Sequence, residues 1–235
     1  MQQLDRAVIL AAGLGTRLKW LTHDQPKALI DVVGAPAIAH VIRRLATQGI
    51  RYIAVNTHHH ADQLIKVLGD GSRLGVRLYF SREKKLLDSG GGVRQALDLL
   101  PGEGLLAVHN ADVLADIDVQ VLARVCPEGG ACLSLVPNPA HHPTGDFSLR
   151  DGLISISLDG GPRYTFAGVS VWEQGVFDAW VSGQSFPLIE AIQHLADENC
   201  CAGVLHDGSW FDIGRPRDLM QARRRARACS HKIQA

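Results

Sequence analysis

Two cationic side chains follow a glycine loop near the start of the chain, and an aspartate stands where a later apolar run ends. In Ala7-Val8-Ile9-Leu10-Ala11-Ala12-Gly13-Leu14-Gly15-Thr16-Arg17-Leu18, four apolar residues lead into a Gly-x-Gly turn, and Lys27 follows ten residues after Arg17. Glycines let the backbone turn sharply and leave amide N–H groups free to face an anion. Arg17 adds a planar fork of donors that fits phosphate oxygens in pairs, and Lys27 adds a point charge that can swing onto a second phosphate. The set suits a polyphosphate ligand. Leu105-Leu106-Ala107-Val108-His109 then delivers Asn110-Ala111-Asp112, and Asp112 offers the hard oxygen that Mg²⁺ takes where phosphoryl or nucleotidyl transfer needs its charge neutralised.

Each signal also has a plainer reading. A Gly-x-Gly after a strand serves equally as a tight turn, and Asp112 could cap the turn that follows it. The dinucleotide fingerprint wants a third glycine where Leu18 stands, and the phosphate loop of ATPases wants Gly-Lys-Ser/Thr, which is missing. The run His58-His59-His60 reads as a loop or helix start, because consecutive side chains point in different directions and seldom converge on one metal ion.

The elements that must position these residues follow from periodicity. Ala7–Leu10, Tyr52–Asn56, Val76–Phe80, Leu105–His109 and Ala131–Val136 read as buried strands. Between them, Ile38, Val41, Ile42 and Leu45 recur at helical spacing before Gly49, and Ala61–Leu68 reads as a short helix ended by Gly69. Strand, helix, strand, helix, strand predicts an α/β fold, a Rossmann-like three-layer sandwich on a mostly parallel mixed sheet, and ligands on such sheets sit beyond the carboxyl ends of the strands. Glu83 to Val93 carries a second glycine-rich turn, Gly90-Gly91-Gly92, before a helix expected over 93–100, which makes it another candidate ligand loop at the same edge. Leu149 to Ile156 reads as a hairpin about Asp151-Gly152, and Tyr164–Val171 as a strand whose Gly168 admits a close neighbour. Two helices follow, the second with Leu188, Ile189, Ile192 and Leu195 as core, and then a strand at Cys201–Leu205 and a terminal helix from Pro216.

The spaced motifs, taken together, resemble the sugar-phosphate nucleotidyltransferases. The first runs from Leu10 through Gly13-x-Gly15-Thr16-Arg17-Leu18 to Leu21-Thr22 and Pro26-Lys27, and the last is Trp210-Phe211-Asp212-Ile213-Gly214. Leu87-Asp88-Ser89-Gly90-Gly91-Gly92 and the loop Asn138-Pro139-Ala140-His141-His142-Pro143-Thr144-Gly145-Asp146-Phe147 are similar to the N-acetylmuramate-1-phosphate uridylyltransferase branch. The resemblance covers essentially the whole chain. It implies that Leu10, Ala11, Ala12, Gly13, Gly15 and Thr16 wrap the nucleoside triphosphate, that Arg17 holds its outer phosphates, and that Lys27 holds the reacting phosphate. It further implies that Glu83, Gly90 and Gly91 meet the base and ribose, that Asn110, Asp146 and Gly168 meet the sugar, and that Asp112 and Asp212 hold Mg²⁺. Trp20 stands where the family has Pro, and Ala111 where it has Gly; Asp88 and Ser89 replace Glu and Thr.

The activity so implied is transfer of a nucleotidyl group from a nucleoside triphosphate, UTP by the branch, to a sugar 1-phosphate, N-acetylmuramate 1-phosphate by the branch, with release of pyrophosphate. Guanylyl transfer to mannose 1-phosphate and thymidylyl transfer to glucose 1-phosphate share the first loop and both aspartates. A nucleotide-sugar-binding regulator without turnover is the rival from another class, and a dehydrogenase the third.

Composition bounds the rest. The chain has 235 residues, 46% hydrophobic and 20% charged, enough for one substantial core, so the expectation is one domain over residues 1–235 with a nucleotide-binding part (1–130) and a sugar-binding part (131–235). Twenty-four basic residues balance twenty-four acidic ones, which gives no general pull toward nucleic acid or an anionic membrane. The run Arg223-Arg224-Arg225 with Arg227 reads as a solvated helix face. Five cysteines without metal-ligand spacing, no leader pattern and no apolar run near the roughly twenty residues of a span lead to the expectation of a cytoplasmic monomer or small homo-oligomer with reduced thiols.

Overall fold

A computed structural model describes residues 3–15, 18, 22–157 and 161–231. Thr16, Arg17, Trp20 and Leu21 lie outside the described residues. In chain order the elements are β1 (Arg6–Leu10), a 3-10 turn (Lys27–Leu29), β2 (Asp31–Val32), β3 (Ala35–Pro36), α1 (Ala37–Thr47), β4 (Tyr52–Thr57), α2 (Ala61–Leu68), β5 (Arg77–Arg82), α3 (Asp88–Leu97) and β6 (Leu105–Asn110). There follow β7 (Val113–Ala115), α4 (Val119–Val125), β8 (Ala131–Val136), β9 (Phe147–Arg150), β10 (Leu153–Ser155), β11 (Arg163–Glu173), α5 (Leu188–Asp197), β12 (Cys201–Leu205), β13 (Trp210–Asp212) and α6 (Pro216–His231).

Nine strands form one sheet in the order β5-β4-β1-β6-β11-β8-β12-β10-β9. The first four are parallel to their neighbours, and β11 enters antiparallel to both β6 and β8. Strand alternation explains the layers: Ala7 and Ile9 of β1 pack into one apolar cluster with α1, α2 and α4, while Val8 packs into a second with α3 and α5. A third cluster ties Leu18, Ile30, Val32 and Ala37 to Ile213, Leu219 and Ala222 of the terminal segment. Ile38, Val41, Ile42 and Leu45 are all buried, as their spacing predicts.

Several expectations are corrected. The three glycines do not precede the helix; they form the first turn of α3, which runs from Asp88 to Leu97 rather than over 93–100. Glycine weakens a helix interior by about 1 kcal/mol relative to alanine, but a Cβ would meet the Phe186 ring at 2.3 Å from Gly90 and the Gln184 carbonyl at 2.3 Å from Gly91. Close packing overrides propensity here. Ile189 is 38% exposed and is not core, unlike Leu188, Ile192 and Leu195. The first of the two helices expected after β11 is a 3-10 turn, Gln174–Ala179. The ribbon of β7 with β13 went unforeseen, because three-residue strands carry no readable period.

The hairpin at Asp151-Gly152 stands as expected, both residues having positive φ (51° and 80°), the geometry of a two-residue turn matched to strand twist. Among the described residues no helix is long and apolar enough to cross a membrane. Cys126, Cys132, Cys200 and Cys201 are free, and burial pushes the thiols of Cys126, Cys132 and Cys201 up to about 12, so they stay protonated.

Candidate active site

Parallel register assembles the site. Leu10 at the end of β1 pairs with Asn56 of β4 on one side and Asn110 of β6 on the other. Three consecutive sheet neighbours therefore end side by side. Beyond them opens a cavity of about 460 Å³ lined by Leu10, Ala12, Gly13, Asn56, Glu83 and Asp112 among others. A second cavity, of about 570 Å³, holds Gly145, Asp146, Phe147, Arg163 and Phe166. The two share Leu10, Ser89 and Asn110, so Asn110 stands at their junction.

Asn56 is the residue sequence reasoning missed. Its Oδ1 accepts the Ala11 amide at 2.6 Å and the Ala12 amide at 3.2 Å, and its Nδ2 donates to Glu83 Oε1 at 2.7 Å. The amide thereby fixes the start of the glycine loop against Glu83. Glu83 Oε2 accepts the Leu87 amide at 3.0 Å, so the same carboxylate also orients the entry to α3. Burial raises the Glu83 pKa above its ordinary value, opposed by those two hydrogen bonds. Gly92 completes the network: a Cβ there would lie 2.4 Å from Asn56 Nδ2 and 2.9 Å from Glu83 Oε1. The available signal was positional: a polar side chain ends the apolar strand Tyr52–Asn56, as Asn110 ends another.

The charged centre lies on the ribbon. Asp112 immediately precedes β7, Asp212 ends β13 opposite Val113, and the Ile213 amide donates to the Asp112 carbonyl at 2.9 Å. The Lys27 ammonium is ion-paired with Asp112 Oδ2. Asp212 Oδ1 accepts the Gly214 amide at 2.8 Å, and a Cβ built on Gly214 would lie 2.9 Å from Asp212 Oδ1 and 3.3 Å from Lys27 Nζ. Lys27, Asp112 and Asp212 are thus brought together from positions 27, 112 and 212. Two carboxylates on a rigid ribbon are a hard-oxygen donor set that fits Mg²⁺, with Lys27 offsetting part of their charge.

The other expected residues distribute unevenly. Leu10, Ala12, Gly13 and Glu83 line the first cavity. The Ala11 amide is held by Asn56, and Gly15, at φ +64°, packs its backbone against Thr22 and Lys27. Gly90 and Gly91 are buried against Phe186 and Gln184 and are not among the cavity's lining residues. Thr16 and Arg17 lie outside the described residues. Asp146 lines the second cavity, where Oδ2 accepts the Phe166 amide at 2.8 Å and Oδ1 accepts His142 Nε2 at 2.9 Å. Gly168, at φ +76°, marks a register shift in β11 and lets Asn110 approach: a Cβ would lie 2.6 Å from Asn110 Nδ2.

Among the described residues the histidines gather in no metal cluster. His58 Nδ1 reaches the Glu83 carbonyl at 2.9 Å, while His60, in the left-handed conformation that starts α2, reaches the His23 carbonyl at 3.3 Å. Among the described residues no group of three or more His, Cys, Asp or Glu side chains is gathered as for a metal ion. His109 is buried, and desolvation lowers its pKa to about 4, so its imidazole is neutral near pH 7; Nδ1 donates to the Asn110 carbonyl at 2.8 Å.

Comparison with known proteins identifies the family and the fold. The nucleotidyl transferase family model matches residues 6–228. The chain is 39% identical over 223 residues to the N-acetylmuramate alpha-1-phosphate uridylyltransferase of Neisseria meningitidis serogroup B, covering 92% of this chain and 96% of that protein. It is 33% identical to the protein of the same name from Caulobacter vibrioides, covering 93% and 96%. A crystal structure of a putative glucose-1-phosphate thymidylyltransferase from Bacillus anthracis superposes with a TM-score of 0.83 over 96% of each chain, at 21% identity, and shares the fold.

Proposed function

Because this chain belongs to the nucleotidyl transferase family, we propose that it transfers the uridylyl group of UTP to N-acetylmuramate 1-phosphate, releasing pyrophosphate and forming the nucleotide sugar. The observation that carries the reading is the meeting of Lys27, Asp112 and Asp212 beside the cavity that Asp112 itself lines. In this reading residues 1–130 hold the nucleotide and residues 131–235 the sugar.

The sugar-phosphate oxygen attacks the α-phosphorus in line with the departing pyrophosphate. The bond from α-phosphorus to the bridging oxygen breaks as the new one forms, and no covalent enzyme intermediate arises. The protein's work is positioning and charge neutralisation. Lys27 steadies the reacting phosphates and Arg17 the outer ones, while the glycine loop, Leu10, Ala11, Ala12, Gly13, Gly15 and Thr16, wraps the triphosphate with its Ala11 and Ala12 amides anchored to Asn56. Glu83 borders the base and ribose, and Gly90 and Gly91, packed against Phe186 and Gln184, support that wall from within α3. Asn110, Asp146 and Gly168 border the sugar. Asp112 and Asp212 would hold Mg²⁺, which supplies further charge neutralisation on the phosphates when bound. In this reading the protein works in the cytoplasm, where thiols stay reduced.

The test is pyrophosphate release with Mg²⁺, crossing UTP, GTP, dTTP and CTP against N-acetylmuramate, N-acetylglucosamine, glucose and mannose 1-phosphates. Turnover greatest with UTP and N-acetylmuramate 1-phosphate is the expected result. Turnover with another pair keeps the mechanism and moves the substrate. Folded protein that binds nucleotide without turnover with any pair overturns the enzymatic reading.

A further inference from the structure

A third cavity, of about 350 Å³, is walled by the loop residues 139–141, by the strand β13 and by the start of α6. Its lining includes His141, Trp210, Asp212, Arg215 and Arg217. Among the described residues neither the Arg215 nor the Arg217 guanidinium makes a hydrogen bond or an ion pair, whereas Arg6, Arg44 and Arg163, which line other cavities, all spend donors on backbone carbonyls. Arg215 is half-buried, which already costs its charge some hydration, and Arg217 is exposed. Trp210 is held by its own bond, Nε1 to the Ala167 carbonyl at 2.9 Å, so its ring forms a fixed wall. The acidic groups facing the cavity are Asp212 and Asp218. Asp212 belongs to the charged centre with Lys27, which leaves one carboxylate, Asp218, against two guanidinium groups and the His141 imidazole.

An uncommitted cationic cavity that shares a wall with the reaction centre calls for an anion on the substrate besides its phosphate. The substrate proposed above has one. N-acetylmuramate differs from N-acetylglucosamine by a lactyl ether that ends in a carboxylate, and a guanidinium fork matches a carboxylate with two parallel hydrogen bonds. We propose that Arg215, assisted by Arg217, binds the lactyl carboxylate of the sugar 1-phosphate and is the specificity-determining residue that separates this acidic sugar from neutral ones. The inference rests on the uridylyltransferase reading and names the contact that sets its sugar choice. Neither residue acts on the reacting phosphates, so the effect falls on sugar selection.

The experiment compares N-acetylmuramate 1-phosphate with N-acetylglucosamine 1-phosphate, which lacks only the lactyl group, as acceptors for UTP. The variants are Arg215→Leu, Arg217→Leu and Arg215→Lys. A charge-assisted hydrogen bond lost in a partly dry site corresponds to a factor of about ten to a hundred. Arg215→Leu should therefore lower the ratio of kcat/KM for the muramate over the glucosamine substrate by that factor, mainly through KM for the muramate substrate. Arg215→Lys should restore part of it, and raised salt should lower the wild-type ratio. A wild-type enzyme that selects the muramate substrate while Arg215→Leu and Arg217→Leu leave the ratio unmoved overturns this inference and leaves the function standing. A wild-type enzyme that turns over neither substrate overturns the function itself. Circular dichroism and the melting temperature separate either result from misfolding.

Discussion

Asn56 Nδ2 donates to Glu83 Oε1 at 2.7 Å, joining the ends of two strands beneath the glycine loop. Because Asn56 Oδ1 also accepts the Ala11 and Ala12 amides, its orientation is fixed, and only an acceptor can stand opposite Nδ2. Asn56→Ala strands those buried partners and should lower stability by about 1–3 kcal/mol and raise the KM for nucleotide. Urea unfolding and initial-rate kinetics check the two parts. Asn56→Asp turns a carboxylate toward Glu83, so its deficit should grow between pH 5 and pH 8 by roughly 1 kcal/mol or more.

Glu83 gives a pH dependence with a definite sign. Its folded pKa is raised, chiefly by burial, above the ordinary value of 4.5. The stability it contributes is full below 4.5 and is lost as pH rises through the raised value, since the folded state holds its proton longer than the unfolded chain. Urea midpoints measured across that window should fall for the wild type, and Glu83→Gln should flatten this limb while lying lower at acid pH, where its amide opposes Asn56 Nδ2.

His109 acts in the opposite direction. Its pKa falls from 6.5 to about 4, so the unfolded chain takes up a proton first as the pH drops. The stability it contributes is present above 6.5 and lost on acidification toward 4, by about 3 kcal/mol for a shift of that size. His109→Phe should remove this acid limb, which a pH series of thermal melts would register.

Two glycines separate packing from ligand approach. A Cβ on Gly13 would meet nothing within 4 Å, whereas one on Gly92 would press on Asn56 and Glu83. Gly92→Ala should destabilise the fold by about 1–3 kcal/mol. Gly13→Ala should leave the melting temperature within a degree or two and weaken nucleotide binding, because the space it fills is where the phosphate chain must approach the backbone. Calorimetric titration with UTP distinguishes that outcome from a glycine kept only for its turn.

The ion pair of Lys27 with Asp112 predicts separable losses. Lys27→Met and Asp112→Ala should each cut kcat for pyrophosphate release by about a hundred- to thousandfold, the range typical of one preorganised charged group at a transition state. Asp112→Ala and Asp212→Ala should also abolish the response to added Mg²⁺, while EDTA should silence the wild type. Full turnover by folded Asp112→Ala would sink the assignment.

The sequence by itself determined the layers and the chemistry on offer. Both faces of β1 are buried, so its four apolar residues announce a central strand, and the helical spacing of Ile38, Val41, Ile42 and Leu45 announces its cover. Lys27 was legible as a cation near the glycine loop and Asp112 as a carboxylate at the end of an apolar run, equally able to cap a turn, while the role of Asp212 came from the resemblance. Tertiary structure alone decided their meeting. It did so through a ribbon of two three-residue strands, β7 and β13, whose pairing is non-local and leaves no period in either segment. The same reason hid Asn56, whose role depends on parallel register with Leu10 and on a carboxylate contributed from β5's far end. It also recast Gly90, Gly91 and Gly92, which read locally as a turn and fold as a helix because Phe186, Gln184, Asn56 and Glu83 leave no room for a side chain. Local patterns record what each segment can bury; which polar ends then face one another is set by register across the sheet.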